Sequence, residues 1–466
     1  MEKKIFDVAV IGSGPGGYVA AIRAQQHSLS TCLIEVQDTG GTCLNRGCIP
    51  SKALIASASQ LSQLKEAENH GIHIKNVSFD YGIMRSRKEG IVHQIRGNLE
   101  GLIKKHGVTM LRGYGKFLSP HQIKVLGEEE CIVEAKQIII ATGSEPKGLP
   151  FVSFDQTLIH DSTSLLEIQT LPKSLIIVGG GIIGCEFASL YNALGVEVTI
   201  IELLPSILST EGTQIADIMT QAFQKKGMKI YTNASITRLD TKSDHVVAHL
   251  ADGATLYADI ALISVGRKYN TENISLEKAG VILNPNGSID TNEHMQTNVP
   301  HIYAIGDITG KWLLAHVASH QGLVAADTAA GVPNEMHYNA VPSVIFTSPE
   351  VATVGYTLDR ALKAGYDAVA GAFPFQALGK SQAIGETEGF AQIITSKSTG
   401  QILGAQVIGH DAATLIAEMA LAISAELTVA SIAETIHAHP TLPESWMEAS
   451  LLASGLPLHL PPKRTK

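Results

Sequence analysis

The strongest constraint on this chain is that it repeats itself. An apolar run, Ile5 to Ile11, leads into Gly12-Ser13-Gly14-Pro15-Gly16-Gly17, a helix-like segment, a second apolar run from Ser30 to Ile34, and then Glu35. The same order returns 167 positions later as Leu175 to Val178, Gly179-Gly180-Gly181-Ile182-Ile183-Gly184, a helix-like segment, Glu197 to Ile201, and Glu202. Glycines between a strand and a helix allow a tight turn and close backbone approach, and the helix N-terminus attracts a pyrophosphate. An acid about 20 residues beyond such a fingerprint accepts from a ribose hydroxyl. A lone match also arises in structural glycine turns, but two in matching contexts point to two dinucleotide sites in one chain.

With 466 residues the chain is expected to form about three compact units. Its net charge of −9, with no run of five basic residues, speaks against nucleic acid as a partner. The most apolar stretch, Ser174 to Cys185, is closed off by Lys173 and Glu186, far short of the ~20 residues that a membrane span needs. Met1-Glu2-Lys3-Lys4 runs directly into a strand, so no targeting segment is expected and the cytoplasm is the expected location. Five cysteines, an odd number, do not make a secreted disulfide framework, so any disulfide here is expected to be a working one.

Beyond the second fingerprint, Asn284 to Gly287 and Gln296 to Pro300 punctuate a region of short elements. After Val341-Pro342-Ser343, alternating stretches at Ala391 to Ile394 and Ile402 to Ile408 read as strands, and Ala412 to Ala425 and Val429 to Thr435 as helices. Strands first and helices after suggest an α+β terminal domain.

Between the first fingerprint and the second lies Gly40-Gly41-Thr42-Cys43-Leu44-Asn45-Arg46-Gly47-Cys48-Ile49-Pro50-Ser51-Lys52. On an ideal helix, Cα atoms five residues apart are about 8.7 Å from each other, beyond the ~7 Å limit for a disulfide. A bridge between Cys43 and Cys48 therefore requires distorted backbone, which Gly40, Gly41 and Gly47 permit and Pro50 favours by breaking the hydrogen-bond ladder. Two unrelated buried thiols are the plainer alternative. A metal site lacks a second Cys or His pair at ligand spacing, and no metal is expected. A cysteine pair after one dinucleotide fingerprint and upstream of another reads as an electron relay from thiols through a flavin to a nicotinamide.

At this point the sequence resembles the pyridine nucleotide-disulfide oxidoreductases. Gly40 to Lys52 is similar to their redox-active disulfide segment, and the likeness extends to Ala141-Thr142-Gly143-Ser144, Ala304-Ile305-Gly306-Asp307 and His437-Ala438-His439-Pro440-Thr441-Leu442-Pro443-Glu444. The resemblance implies an α/β fold with two Rossmann-like dinucleotide-binding domains and a C-terminal α+β dimerisation domain. It divides the chain into an FAD-binding domain carrying the disulfide (1–147), an NAD-binding domain (148–270), a central domain (271–340) and a dimerisation domain (341–466). Cys43 is then the interchange thiol and Cys48 the thiolate against the flavin. His439 is the acid-base that takes the proton of a substrate thiol, oriented by Glu444. Gly12, Gly14, Gly17, Glu35, Lys52, Gly115, Gly143, Asp307 and Ala315 are implied for FAD, and Gly179, Gly181, Gly184, Glu186, Glu202 and Gly266 for NAD. Glu186 matches the acid that pairs with Lys52. His437 reads as a structural histidine. In the family the histidine reaches the disulfide of the other subunit, so a homodimer is implied.

Within the family the resemblance favours the branch that reoxidises dihydrolipoyl groups of 2-oxo acid dehydrogenase complexes. Cys185 is the last cysteine, so the C-terminal thiol pairs of mercuric and large thioredoxin reductases are missing. Glu202, with no basic residue between Lys173 and Lys225, suits NAD and not NADP. Ile183 stands where glutathione reductases carry a tyrosine, and both cysteines are present, unlike in soluble transhydrogenases. The implied partner is a lipoyl-bearing acyltransferase, or the lipoyl protein of glycine cleavage. Another NAD-linked disulfide reductase acting on a small disulfide is the alternative. Ser381-Gln382-Ala383 and Gln321-Gly322 depart from the family pattern and are expected to alter surface electrostatics and partner docking alone.

Overall fold

The computed structural model describes residues 1–128 and 130–461; the last five residues of the expected terminal domain lie outside them. The chain gathers into two compact units, one from Met1–Pro150, His160–Leu171 and Val265–His337, the other from Phe151–Ile159, Pro172–Ser264 and Tyr338 onward.

In the first unit, the strand Glu2–Ile11 lies between Thr31–Glu35 and Cys131–Ile140, parallel to both. Thr109–Ser119 extends this parallel sheet on one side and Ile302–Ala304 on the other, while Gln122–Gly127 pairs antiparallel with Thr109–Ser119 and Cys131–Ile140. Val8, Ala9 and Val10 are fully buried, as the continuous apolar run of a parallel strand covered on both faces requires. The segment read as a separate central domain, 271–340, thus supplies a strand to this sheet, and residues 265–337 belong to the first unit. The ladder from Ile302–Ala304 to Ile138–Ile140 is what joins them.

The helix Ala315–Ala329 packs on Pro15–Gln26 closely enough that a Cβ at Gly322 would meet the Gly16 carbonyl oxygen at 2.5 Å. Asp327, buried at the far end of this contact, accepts from Arg23 Nε at 2.5 Å and pairs with His27 Nε2 at 2.6 Å.

In the second unit, Lys229–Tyr231, Glu197–Ile201, Ser174–Val178 and Ile260–Ile263 form parallel neighbours in that order. A five-stranded antiparallel sheet follows, ordered Pro342–Ile345, Glu350–Gly355, Ile402–Gly409, Phe390–Ser396, Ala368–Pro374. The two strands read as alternating are buried along their whole length. Their polar face is also covered: Gln406 Nε2 donates to the Glu211 carbonyl at 2.7 Å and Gln392 Nε2 to Gln214 Oε1 at 3.2 Å. Buried polar side chains are tolerated because each finds a partner.

Helices Ala412–Ser424 and Val429–Glu434 stand where periodicity places them. A third, Glu444–Ala453, has no counterpart in that reading. It lies against Ala368–Pro374 so tightly that a Cβ at Gly371 would meet the Ala449 carbonyl oxygen at 2.1 Å. Trp446, fully buried, anchors it, with Nε1 donating to the Leu415 carbonyl at 3.1 Å. No helix of the described residues is long and apolar enough to cross a membrane. Trp446→Ala empties this anchor and is expected to cost about 3–5 kcal/mol, measured by urea unfolding; a loss under ~1 kcal/mol contradicts the anchoring.

Candidate functional site

The two fingerprints fold alike down to single hydrogen bonds. Ser13 N–H donates to Glu35 Oε2 at 2.8 Å and Gln37 N–H to Oε1 at 2.7 Å; 167 positions on, Gly180 N–H donates to Glu202 Oε2 at 2.6 Å and Leu204 N–H to Oε1 at 2.7 Å. Each acid therefore braces its own glycine loop, and a carboxylate offers about four lone-pair sites, enough to accept a ribose hydroxyl as well. Gly12 (φ +100°) and Gly179 (φ +107°) have backbone that other residues rarely adopt, and a Cβ there would strike the Ala141 or Ser264 carbonyl at 2.3 or 2.5 Å. A Cβ at Gly17 or Gly184 would collide with the Gly12 or Gly179 carbonyl at 1.8 or 2.0 Å. Gly14 and Gly181 instead face open space and cap helices Pro15–Gln26 and Ile182–Ala193 with no side-chain bond. The first N–H groups of each helix are left to an external acceptor, which fits a pyrophosphate.

The cysteine segment breaks where glycine allows it. Helix Gly41–Arg46 stops at Gly47 (φ −144°, ψ −108°) and helix Cys48–Glu66 begins at once. Pro50 falls in the first turn of the second helix, where its missing N–H is no loss. The break brings Cys43 and Cys48 into hydrogen-bond contact as thiols. That contact, together with burial and the negative charge of Cys48, raises the Cys43 thiol above its ordinary range, while Lys52 pulls it down. Cys48 is the first residue of a 19-residue helix whose positive end favours a thiolate, and Lys52 stands one turn on. Pro50, a first-turn proline, was the sequence signal available for this helix start.

The first unit also holds other expected residues. Asp307 Oδ2 accepts from Ser144 Oγ at 2.5 Å, and Oδ1 takes no bond from the described residues, which leaves it for a ribityl hydroxyl. Gly143 (φ +70°) accepts at its carbonyl from Asn270 N–H at 3.0 Å, next to the strand pair Ser144–Pro146 and Arg267–Tyr269. Gly115 lies in Thr109–Ser119 beside Ile11 and Ile34, and Ala315 opens the helix Ala315–Ala329. Gln321, expected at the surface, is fully buried and accepts from Gly306 N–H at 2.7 Å, directly beside Asp307. That expectation is corrected: the substitution acts in the interior. Arg267, which sequence reasoning missed, donates to Ser144 Oγ at 2.6 Å and to the Ser144 carbonyl at 2.7 Å.

In the second unit, His439 Nδ1 contacts Glu444 Oε1 at 2.8 Å, and Thr441 N–H donates to Glu444 Oε2 at 2.8 Å. The peptide bond between His439 and Pro440 is cis. The His439 side chain is 77% exposed, so its other nitrogen is open to a reactant, whereas Glu444 is largely covered. Burial works against the Glu444 charge, but the Thr441 amide and His439 outweigh it and hold the carboxyl below its ordinary range. His437 is different: it is nearly buried and tied to Glu418 at 3.0 Å, the structural role expected. Glu186 lies in this unit and accepts from Phe346 N–H at 2.9 Å; Gly266, grouped with the NAD residues by sequence, belongs to the first unit and accepts from Lys147 N–H at 3.0 Å.

A chain with two nucleotide fingerprints, a cysteine pair at a helix start and a His-Glu dyad is a flavin-dependent disulfide oxidoreductase in design, and the comparisons agree. Residues 6–322 match the model of the pyridine nucleotide-disulphide oxidoreductases and residues 341–450 that family's dimerisation domain, so the chain belongs to this family. Its cofactors are FAD and NAD. Among curated proteins it is similar to the dihydrolipoyl dehydrogenase of Chlamydia pneumoniae, 51% identical over 98% of this chain and 99% of the relative. The dihydrolipoyl dehydrogenase of Geobacillus stearothermophilus is 42% identical over 97% of each. Of solved structures, LpdA from Mycobacterium tuberculosis superposes with a TM-score of 0.90 at 28% identity, covering 97% of this chain and 99% of that one.

Because Glu444 titrates below its ordinary range when folded, its contribution to stability is present above the unfolded glutamate pKa and lost as pH falls through the folded one. Wild type is therefore expected to exceed Glu444→Gln in denaturant midpoint at neutral pH, with the gap closing in acid. A gap that is constant with pH overturns the dyad's charge pairing.

Proposed function

We propose that this enzyme oxidises protein-bound dihydrolipoyl groups of 2-oxo acid dehydrogenase complexes and reduces NAD+ to NADH. The observation that carries the reading is the thiol pair at the Gly47 break, with Cys48 at the positive end of a helix, in the same chain as an exposed histidine braced by a carboxylate. Curated relatives at 40% to 51% identity over nearly the full length carry the dihydrolipoyl dehydrogenase name, which supports the substrate class.

Each residue has a defined task. His439, held in one orientation by Glu444, takes the proton of a substrate thiol, and the resulting thiolate attacks Cys43 Sγ of the oxidised pair. The Cys43–Cys48 bond breaks, a mixed disulfide forms at Cys43, and Cys48 leaves as a thiolate held by the helix terminus and Lys52. The second substrate thiol attacks its own sulfur in that mixed disulfide, closes the dithiolane and releases Cys43, to which His439 gives the proton taken from the first thiol as it receives that of the second. The substrate has lost one electron pair and the cysteine pair has gained it. Bound FAD would supply the two-electron redox chemistry that links the cysteine pair to NAD. Gly12, Gly14, Gly17, Glu35, Gly115, Gly143, Asp307 and Ala315 hold FAD; Gly179, Gly181, Gly184, Glu202 and Gly266 hold NAD.

The working enzyme is a homodimer in which His439 serves the cysteine pair of the other subunit, consistent with its 77% exposure within one chain. The lipoyl group arrives on an acyltransferase or on the lipoyl protein of glycine cleavage. The cytoplasm suits a disulfide that must cycle.

His439→Gln is expected to slow NAD-linked oxidation of dihydrolipoamide about a hundredfold or more, as loss of a general base does, while NADH oxidation by an artificial acceptor is nearly unchanged. Equal slowing of both reactions removes the acid-base role. Cys48→Ser is expected to abolish nearly all dihydrolipoamide turnover with FAD still bound; release of FAD would make the residue structural. Faster turnover with glutathione disulfide than with the lipoyl substrate would favour a small-disulfide reductase.

A further inference from the structure

Arg267 is a buried cation that the mechanism has not used. Its side chain is only 13% exposed, and it sits in the short strand Arg267–Tyr269 that pairs antiparallel with Ser144–Pro146. The guanidinium spends two N–H groups on one residue, Nε on Ser144 Oγ at 2.6 Å and Nη2 on the Ser144 carbonyl at 2.7 Å. The Ser144 hydroxyl passes its own hydrogen to Asp307 Oδ2 at 2.5 Å, and Arg267 Nε itself stands 3.6 Å from that oxygen. Arginine, hydroxyl and carboxylate thus form a one-way chain. The hydroxyl has one hydrogen, and because Arg267 donates to its oxygen, that hydrogen is directed to Asp307.

Arg267 also has a wider electrostatic role. Burial draws the guanidinium below its usual range against the opposing pull of Asp307, Cys48, Asp161 and Glu145, in that order of strength. A guanidinium remains charged under such conditions. A positive charge held out of solvent acts over longer distances than one at the surface, and Cys48 is within its field. Reduction of the cysteine pair adds a negative charge at Cys48, so a fixed cation favours the reduced form.

We propose that Arg267 is a positioning residue of the redox centre, orienting the Asp307 carboxylate through Ser144 and offsetting the negative charge that reduction places on Cys48. This rests on the reading above that FAD lies at the cysteine pair and Asp307. Arg267 touches neither substrate nor reacting sulfur; it acts on groups that do. The sign is fixed: removing the charge disfavours the reduced enzyme and its thiolate, and keeping the charge while losing the fork disturbs the carboxylate alone.

The test uses the FAD-loaded enzyme as wild type, Arg267→Gln, Arg267→Lys and Ser144→Ala, with two readouts independent of turnover. One is the midpoint potential of two-electron reduction, by dye equilibration; the other is the pH midpoint for alkylation of the reduced cysteine pair by iodoacetamide. Arg267→Gln is expected to shift the reduction equilibrium at least tenfold toward the oxidised form, about 30 mV for a two-electron couple, and to raise the alkylation midpoint. Arg267→Lys is expected to stay within threefold of wild type in the first and unchanged in the second. Ser144→Ala is expected to release FAD at least tenfold faster at unchanged potential. If Arg267→Gln loads FAD with wild-type potential and alkylation midpoint, the proposal falls. If Arg267→Gln does not fold, Ser144→Ala decides: wild-type FAD retention overturns it. Failure of the underlying reading shows separately, as a wild-type enzyme with no long-wavelength thiolate–flavin absorbance on reduction.

Discussion

The first unit depends on a contact between two pieces of backbone. Gly40 N–H donates to the Ser13 carbonyl at 3.1 Å and to Ser13 Oγ at 3.2 Å, and a Cβ on Gly41 would come within 2.7 Å of Gly14 Cα. The helix that carries Cys43 is therefore docked on the first glycine loop, with the Ser13 hydroxyl as the side chain that joins their backbones. Side-chain rotamers vary, whereas backbone packed on backbone does not, so the sulfur pair and the loop share one rigid frame. The Gly47 break and the helix start at Cys48 are built outward from this frame, and Asp307 is braced by Gln321 and Ser144 in the same unit.

The duplicated fingerprint shows how one local design serves two purposes. Both copies brace the loop with a carboxylate at the end of the second strand, and both leave a helix N-terminus without a side-chain cap. They differ at one informative position. Ser13 in the first copy uses its hydroxyl to donate to Glu35 and to receive Gly40, while its counterpart Gly180 has no side chain to offer. Beyond Glu35 the chain turns at once into the cysteine helix; beyond Glu202 it continues through exposed Leu203 and Leu204. The cysteine helix follows the acid of one copy alone, and the loop itself is preserved.

Much of this was legible in the residues because the physics is local. Strand, glycines, helix and acid occupy fixed offsets, and the strands observed at Glu2–Ile11, Thr31–Glu35, Ser174–Val178 and Glu197–Ile201 fall on the apolar runs that announced them, to within one residue at Ser30. His439 and Glu444, five positions apart, are in contact; the family motif, not their spacing alone, paired them in the sequence. The features that escaped were long-range. Arg267 and Ser144 lie 123 positions apart, and Ser144 and Asp307 163, so no local pattern marks them as one chain of hydrogen bonds. Gln321 looked like a surface change because burial is a property of packing, here the close approach of two helices at Gly16 and Gly322. The alternation near Gln392 and Gln406 marked strands, but not that their polar face is closed by Gln214 and the Glu211 carbonyl from a distant segment.

The proposed function rests on a cysteine pair and a flavin that share electrons in one site, and an anaerobic titration of the FAD-loaded protein with a stoichiometric reductant tests this most directly. Uptake of two electron pairs per chain is predicted, with new cysteine thiols, measured after quenching, appearing with the first pair. Uptake of a single pair, which bleaches the flavin while the cysteine pair neither opens nor closes, would contradict it.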